Sequence, residues 1–187
     1  MKKIVLSALT AMTITIGANA ADTFFDYKQE VGVGVTYIDR NANDWGNNYG
    51  INLNGKLMKS LNETIALGIT LNFDYNPSVQ WTSGNAGYSN PTEYSVDFLP
   101  TVTYIISEKV DVSAMLGYEY GKYSADWGDW DTKGLSYGAA ASYAVTPQIR
   151  ANISVLRTNM DFTSSVSSNY DATSNTMRYT IGMGYNF

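Results

Sequence analysis

The chain has no cysteine and no histidine, only four prolines, and few charges. Charged residues make up 16% of its 187 residues, against roughly 25% in ordinary soluble domains. The missing histidine excludes every imidazole-based triad, metal site or pH switch. The missing cysteine excludes thiolate chemistry, cysteine-bound zinc and disulfides. Long apolar runs are also scarce. The one such stretch, Ile4 to Gly17, follows Met1-Lys2-Lys3 and ends at Ala18-Asn19-Ala20. It is too short to cross a bilayer as a helix, and its basic start and small-x-small end are those of a secretory signal. Residues 1–20 are therefore expected to be cleaved, leaving 21–187 as one domain exported through the Sec pathway. Loss of Lys2 and Lys3 leaves 10 basic residues (12 − 2) against 17 acidic, a net of −7. That sign argues against a nucleic-acid partner.

Aromatics are plentiful: 13% of the chain, with 15 tyrosines, beside 16 glycines. From Tyr27 onwards apolar residues alternate with small or polar ones, the period of a half-buried strand. Met177, Tyr179, Ile181, Met183, Tyr185 and Phe187 share one face; Arg178, Thr180, Gly182, Gly184 and Asn186 share the other. Eight such segments can be counted. Their connections alternate between tight turns (59–63, 107–109, 146–148) and longer polar loops (40–47, 77–92, 124–132, 162–174). Short turns on one side and long loops on the other predict an all-β, eight-stranded, antiparallel up-and-down transmembrane barrel with both termini in the periplasm. Tyrosines cluster near both ends of the apolar faces, as two bilayer interfaces require, whereas a soluble ligand-binding barrel needs no such banding. The polar faces are rich in Gly, Ala, Ser and Thr, small enough to fill a narrow lumen.

These features, with the closing Tyr179–Phe187 strand, resemble the small eight-stranded outer-membrane barrels, the OmpA/OmpX-like and opacity-protein-like group. The resemblance covers Tyr27 to Phe187. It implies residence in the outer membrane of a Gram-negative cell, contact with its lipid and lipopolysaccharide, and a monomer. It also implies that Tyr185 and Phe187 resemble the signal read by the barrel-assembly machinery. Pro100 departs from the pattern, since proline cannot donate to a ladder and a closed barrel has no edge. A bulge or a locally open seam is expected there.

Inward charges fall into two expected layers. Lys28, Glu30, Lys56, Asp111 and Arg150 lie low; Asp74, Asp97, Glu119 and Arg178 lie higher. Near-balance of sign favours paired ions plugging the barrel over a selectivity ring, because unpaired ions in a confined interior are costly. Trp45, Trp81, Trp127 and Trp130 all fall in or beside the long loops, and Asp44-Trp45-Gly46 recurs as Asp126-Trp127-Gly128. They are expected to anchor the outer interface or to offer an aromatic surface to an external receptor. Lys122, Lys133 and Arg157 point outward at the loop ends of neighbouring strands, placed to meet lipopolysaccharide phosphates. No cofactor, metal site or catalytic set is expected. Asp126, Asp129 and Asp131 lack the spacing of a full cation-ligand set. The function expected is a structural or surface-interaction barrel; the alternative is a narrow passive channel for ions, water or a small solute.

Overall fold

A computed structural model of the chain describes residues 27–40, 48–77, 91–126, 128–165 and 172–187. Eight strands run in order: β1 (Tyr27–Arg40), β2 (Asn48–Ser60), β3 (Ile65–Asn76), β4 (Thr92–Ile105), β5 (Val110–Ala125), β6 (Gly128–Ala144), β7 (Ile149–Ser164) and β8 (Ala172–Asn186). Each pairs antiparallel with its sequence neighbours, and β8 returns to β1 to close the barrel. Closure matters in hydrocarbon, where an edge strand would leave its backbone groups without partners. The residues expected to form a signal peptide lie outside those described.

The short turns follow from local side-chain chemistry. Asn62 Oδ1 accepts hydrogen bonds from the amides of Thr64 at 2.9 Å and Ile65 at 2.8 Å, closing the β2–β3 turn. Ser107 Oγ accepts from Lys109 and Val110, and Thr146 Oγ1 from Ile149 at 3.0 Å. Each side chain mimics a backbone acceptor and bends the chain back on itself.

Register sets the barrel's shape. Following paired residues from Lys28 through Met58, Gly68, Thr101, Met115, Gly138, Leu156 and Arg178 leads back to β1 at Ile38, ten residues (38 − 28) further along. That shear tilts eight strands by roughly 40° and leaves an interior about wide enough for side chains. The period-two pattern then divides the residues cleanly. Val33, Leu67, Leu116, Ile153 and Ile181 face outward, whereas Thr36, Thr70, Ser136 and Thr158 are buried within.

Pro100 produces no bulge. Two residues lie between the paired positions Phe98↔Tyr118 and Thr101↔Met115 on each strand, so nothing is inserted. Leu99 and Pro100 have no registered partner on β5, while Pro100 still faces Ile69 on β3. The ladder is interrupted on the β5 side alone, which is the open-seam form of the expectation. Gly117 keeps the strands together across the gap, since a Cβ there would overlap the Phe98 carbonyl oxygen.

Two expected loops are shorter than the sequence reading gave them. The 124–132 segment is a hairpin: β5 runs to Ala125, β6 resumes at Gly128, and these two residues pair. Likewise β7 runs to Ser164 and β8 begins at Ala172, in place of a loop over 162–174. In both cases inward apolar side chains hold the extended strands together above the tyrosine band.

Candidate functional site

The lumen is filled in layers, and β5 passes through most of them. Asp111, Met115, Glu119 and Tyr123 follow one another inward at four-residue steps up this strand.

The lowest layer is ionic. Lys56 Nζ lies 3.3 Å from Glu30, Arg150 Nε lies 3.9 Å from Glu30, and Arg150 also pairs with Asp111. Asn152 donates to Glu30 at 2.7 Å. Lys28 lines the same cavity as Glu30, Lys56, Asp111 and Arg150, at its open end. As the second residue of β1 it sits at the periplasmic mouth, exposed, where water solvates its ammonium. Above comes an apolar plug of Leu99, Met115 and Leu156, with Ala140 against it. It fills the β4–β7 side of the lumen. The opposite side is polar: Asn54 donates to Asn52 at 3.1 Å, Asn52 to Asp74 at 3.0 Å, and Thr36 to Asp74 at 2.9 Å.

The next layer gathers one guanidinium and three carboxylates. Arg178 Nη1 is 3.0 Å from Asp97 and 3.6 Å from Asp74, and Nη2 pairs with Glu119. All four side chains are at most 2% exposed. Asp97 and Glu119 are direct cross-strand partners, which packs two like charges side by side and makes Arg178 the group that holds the layer together.

Sequence reasoning missed the layer above. Arg40 and Glu93 form a buried ion pair, and Asn76 donates to Glu93 at 3.0 Å. The sequence pattern places Arg40 at the start of the 40–47 loop and Glu93 just past the 77–92 loop. Their parity was the available signal, because Arg40 continues the inward row of Glu30 and Glu93 that of Asp97. Capping the lumen is a cluster of Tyr123, Trp130, Met160 and Phe162, with Tyr123 and Trp130 rings 5.7 Å apart and edge-on. Trp130 is therefore neither an interface anchor nor an exposed recognition residue. It points inward and is 3% exposed, because β6 starts early enough to bring it over the barrel mouth. Trp45, Trp81 and Trp127 lie outside the described residues.

The outer wall carries the three cations. Lys122 bonds Asp129 at 2.6 Å, and this hydrogen bond holds the Asp129 carboxyl, above the tyrosine band, below the usual carboxylate range. Lys133 is exposed between its registered partners Tyr120 and Asp161; Arg157 is exposed between Tyr137 and Met177. Asp131 is exposed on the same face, and among the described residues no cluster of three acidic side chains is arranged to hold a metal. At the other end, Tyr185 and Phe187 stack edge-on, ring centres 5.0 Å apart, on the lipid-facing surface.

A family described as the outer membrane protein beta-barrel domain matches residues 6–187. The chain belongs to that family. Its home is accordingly the outer membrane of a Gram-negative envelope, and the expected fold class and localisation stand. No curated protein sequence matches the chain. Among solved structures, the attachment invasion locus protein Ail of Yersinia pestis is 16% identical, with a TM-score of 0.57. That match covers 86% of this chain and 98% of Ail. OprG of Pseudomonas aeruginosa is 12% identical with a TM-score of 0.57, covering 86% of this chain and 95% of its own. Neisserial surface protein A is 12% identical with a TM-score of 0.53, covering 86% and 97%. At such identities the likeness is one of fold. The outer-membrane barrel family thus supplies the architecture, and this chain's own residues must supply the function.

Proposed function

We propose that this outer-membrane barrel is a structural and surface-interaction protein that engages lipopolysaccharide through the outer rim of β5–β7. The observation that carries the reading is the placement of two exposed cations beside the upper tyrosine band. Lys133 is registered against Tyr120, and Arg157 against Tyr137. A long cationic side chain there lays its stem along apolar surface while its head reaches the phosphate level. Guanidinium and ammonium groups then form charge-assisted hydrogen bonds to phosphate oxygens. Lys122 contributes less, because Asp129 already occupies it. The long loops are left to an external partner, and the barrel works as a monomer without cofactor or catalysis. Insertion proceeds through the assembly machinery by way of Tyr185 and Phe187.

The test replaces Lys122, Lys133 and Arg157 together by Gln and measures lipopolysaccharide co-purified per barrel. Most of it is expected to be lost, with Lys133 and Arg157 accounting for most of the loss. Unchanged co-purification would remove the reading. A passive pore is the weaker alternative. Steady conductance in planar bilayers that changes on Asp97→Asn or Glu119→Gln would favour it.

A further inference from the structure

Two cavities occupy the lower lumen. The first, about 120 Å³, opens at the periplasmic mouth among Lys28, Glu30, Asp111 and Arg150. The second, about 30 Å³, lies deeper among Asn54, Thr70, Asn72 and Asn152. Lys56 lines both. Among the described residues its ammonium makes long contacts, 3.3 Å to Glu30 and 3.4 Å to Ser142, at the end of a flexible four-carbon stem. The inner cavity has a mixed lining, with Met115 and Ala140 beside several asparagines. Asn54, only 8% exposed, and Asn152 both line it, and Oδ1 of each is buried without a hydrogen-bond partner. A buried acceptor left in this state is costly. One water needs roughly 10–15 Å³ and two to four polar partners. The cavity exceeds that volume, and Asn54, Asn152 and Thr70 all line it.

The way upward is different in kind. Leu99, Met115 and Leu156 block one side of the lumen, and the buried Arg178 layer closes the other. From Asn54 a chain of hydrogen-bonded side chains continues through Asn52 to Asp74.

We infer that the lower lumen is an aqueous half-channel open to the periplasm alone, with a resident water on Asn54 and Asn152 and with Lys56 as its movable partition. Solvent reaches about half-way up the barrel and no further. The Arg178 layer is therefore coupled through Asp74 to the periplasm and insulated from the cell exterior.

The experiment is water-to-protein magnetisation transfer by NMR on the intact barrel in lipid nanodiscs. Cross-peaks from water are expected at the carboxamides of Asn54 and Asn152, and none at the backbone amides of Thr158 and Thr176. No water contact at Asn54 and Asn152 would overturn the inference, as would equal contact at Thr158 and Thr176. Lys56→Ala is expected to shorten the water's residence about tenfold, the effect of removing one hydrogen bond's worth of barrier. An unchanged residence time in a folded variant would overturn the role given to Lys56. If that variant fails to insert, the wild-type spectra still decide whether the half-channel exists.

Discussion

Below the upper tyrosine band the barrel is greasy outside and, but for the Leu99–Met115–Leu156 plug, polar inside; in the β5–β7 rim above it the arrangement is reversed. In the lower region Leu67, Leu116, Ile153 and Ile181 face lipid, while Asp74, Asp97, Glu119 and Arg178 are sealed within. In the rim, Tyr123, Trp130, Met160 and Phe162 point inward, while Asp129, Asp131, Lys133 and Asp161 point outward. The strands are continuous through the change; β5 and β6 carry both patterns. What changes is the solvent outside. In hydrocarbon the wall hides its polar groups, and in water it hides its apolar ones. The β5–β7 rim packs its apolar side chains inward as a water-soluble sheet does.

The comparison can be broken most severely from the lower region. Arg178→Met leaves three buried carboxylates without their cation and is expected to cost about 4 kcal/mol. Urea unfolding from lipid vesicles measures it, with Glu119→Gln as the contrast: removing one of three crowded acids should cost far less. Next comes the rim core. Trp130→Ala, treated as loss of a packed core side chain, should cost about 3 kcal/mol, read in the same assay. A loop anchor would lose almost nothing. The boundary between the regions is sharpened by one substitution made twice. Ile153→Arg places a charge against hydrocarbon near mid-wall and should cost about 2–4 kcal/mol, whereas Asp161→Arg, on the outer face of the rim, should stay within about 0.5 kcal/mol. The smallest effect concerns Asp129. Its carboxyl is held low by Lys122, so the stabilisation it brings is present above the ordinary Asp range and lost as pH falls through the lowered value. The pair is exposed and screened. Wild type and Asp129→Asn should therefore differ slightly at neutral pH and converge in acid, when their urea midpoints are compared.

The same reversal explains what could be read from the chain and what could not. Within the bilayer, alternation of Ile and Leu with Gly, Ser and Thr marks a strand whichever face is wet, so all eight strands were legible, as were the Arg178 and Glu30 layers. Above it the apolar residues switch from even to odd positions in β5, from Tyr118 and Tyr120 to Tyr123. The outward apolar face therefore ends near Tyr120, and alternation alone predicts a loop over 124–132. Arg40 and Glu93 were lost in the same way, at strand ends where charge suggests solvent. Lys28 follows its parity into the periplasmic mouth, where it stays exposed. Pro100 was legible as a defect, and its form depended on Gly117, whose bare backbone lets β5 approach without a bulge.

The account rests on which side chains meet lipid. Nitroxide labels at Leu67, Ile153 and Ile181, with one at Asp161 as the rim control, would test this in reconstituted membranes by collision with oxygen and with a water-soluble nickel chelate. The expected result is oxygen-dominated relaxation at the first three and nickel-dominated relaxation at Asp161. Nickel-dominated relaxation at Leu67, Ile153 and Ile181 would contradict the assignment of the apolar face to hydrocarbon, and the reversal at the rim would go with it.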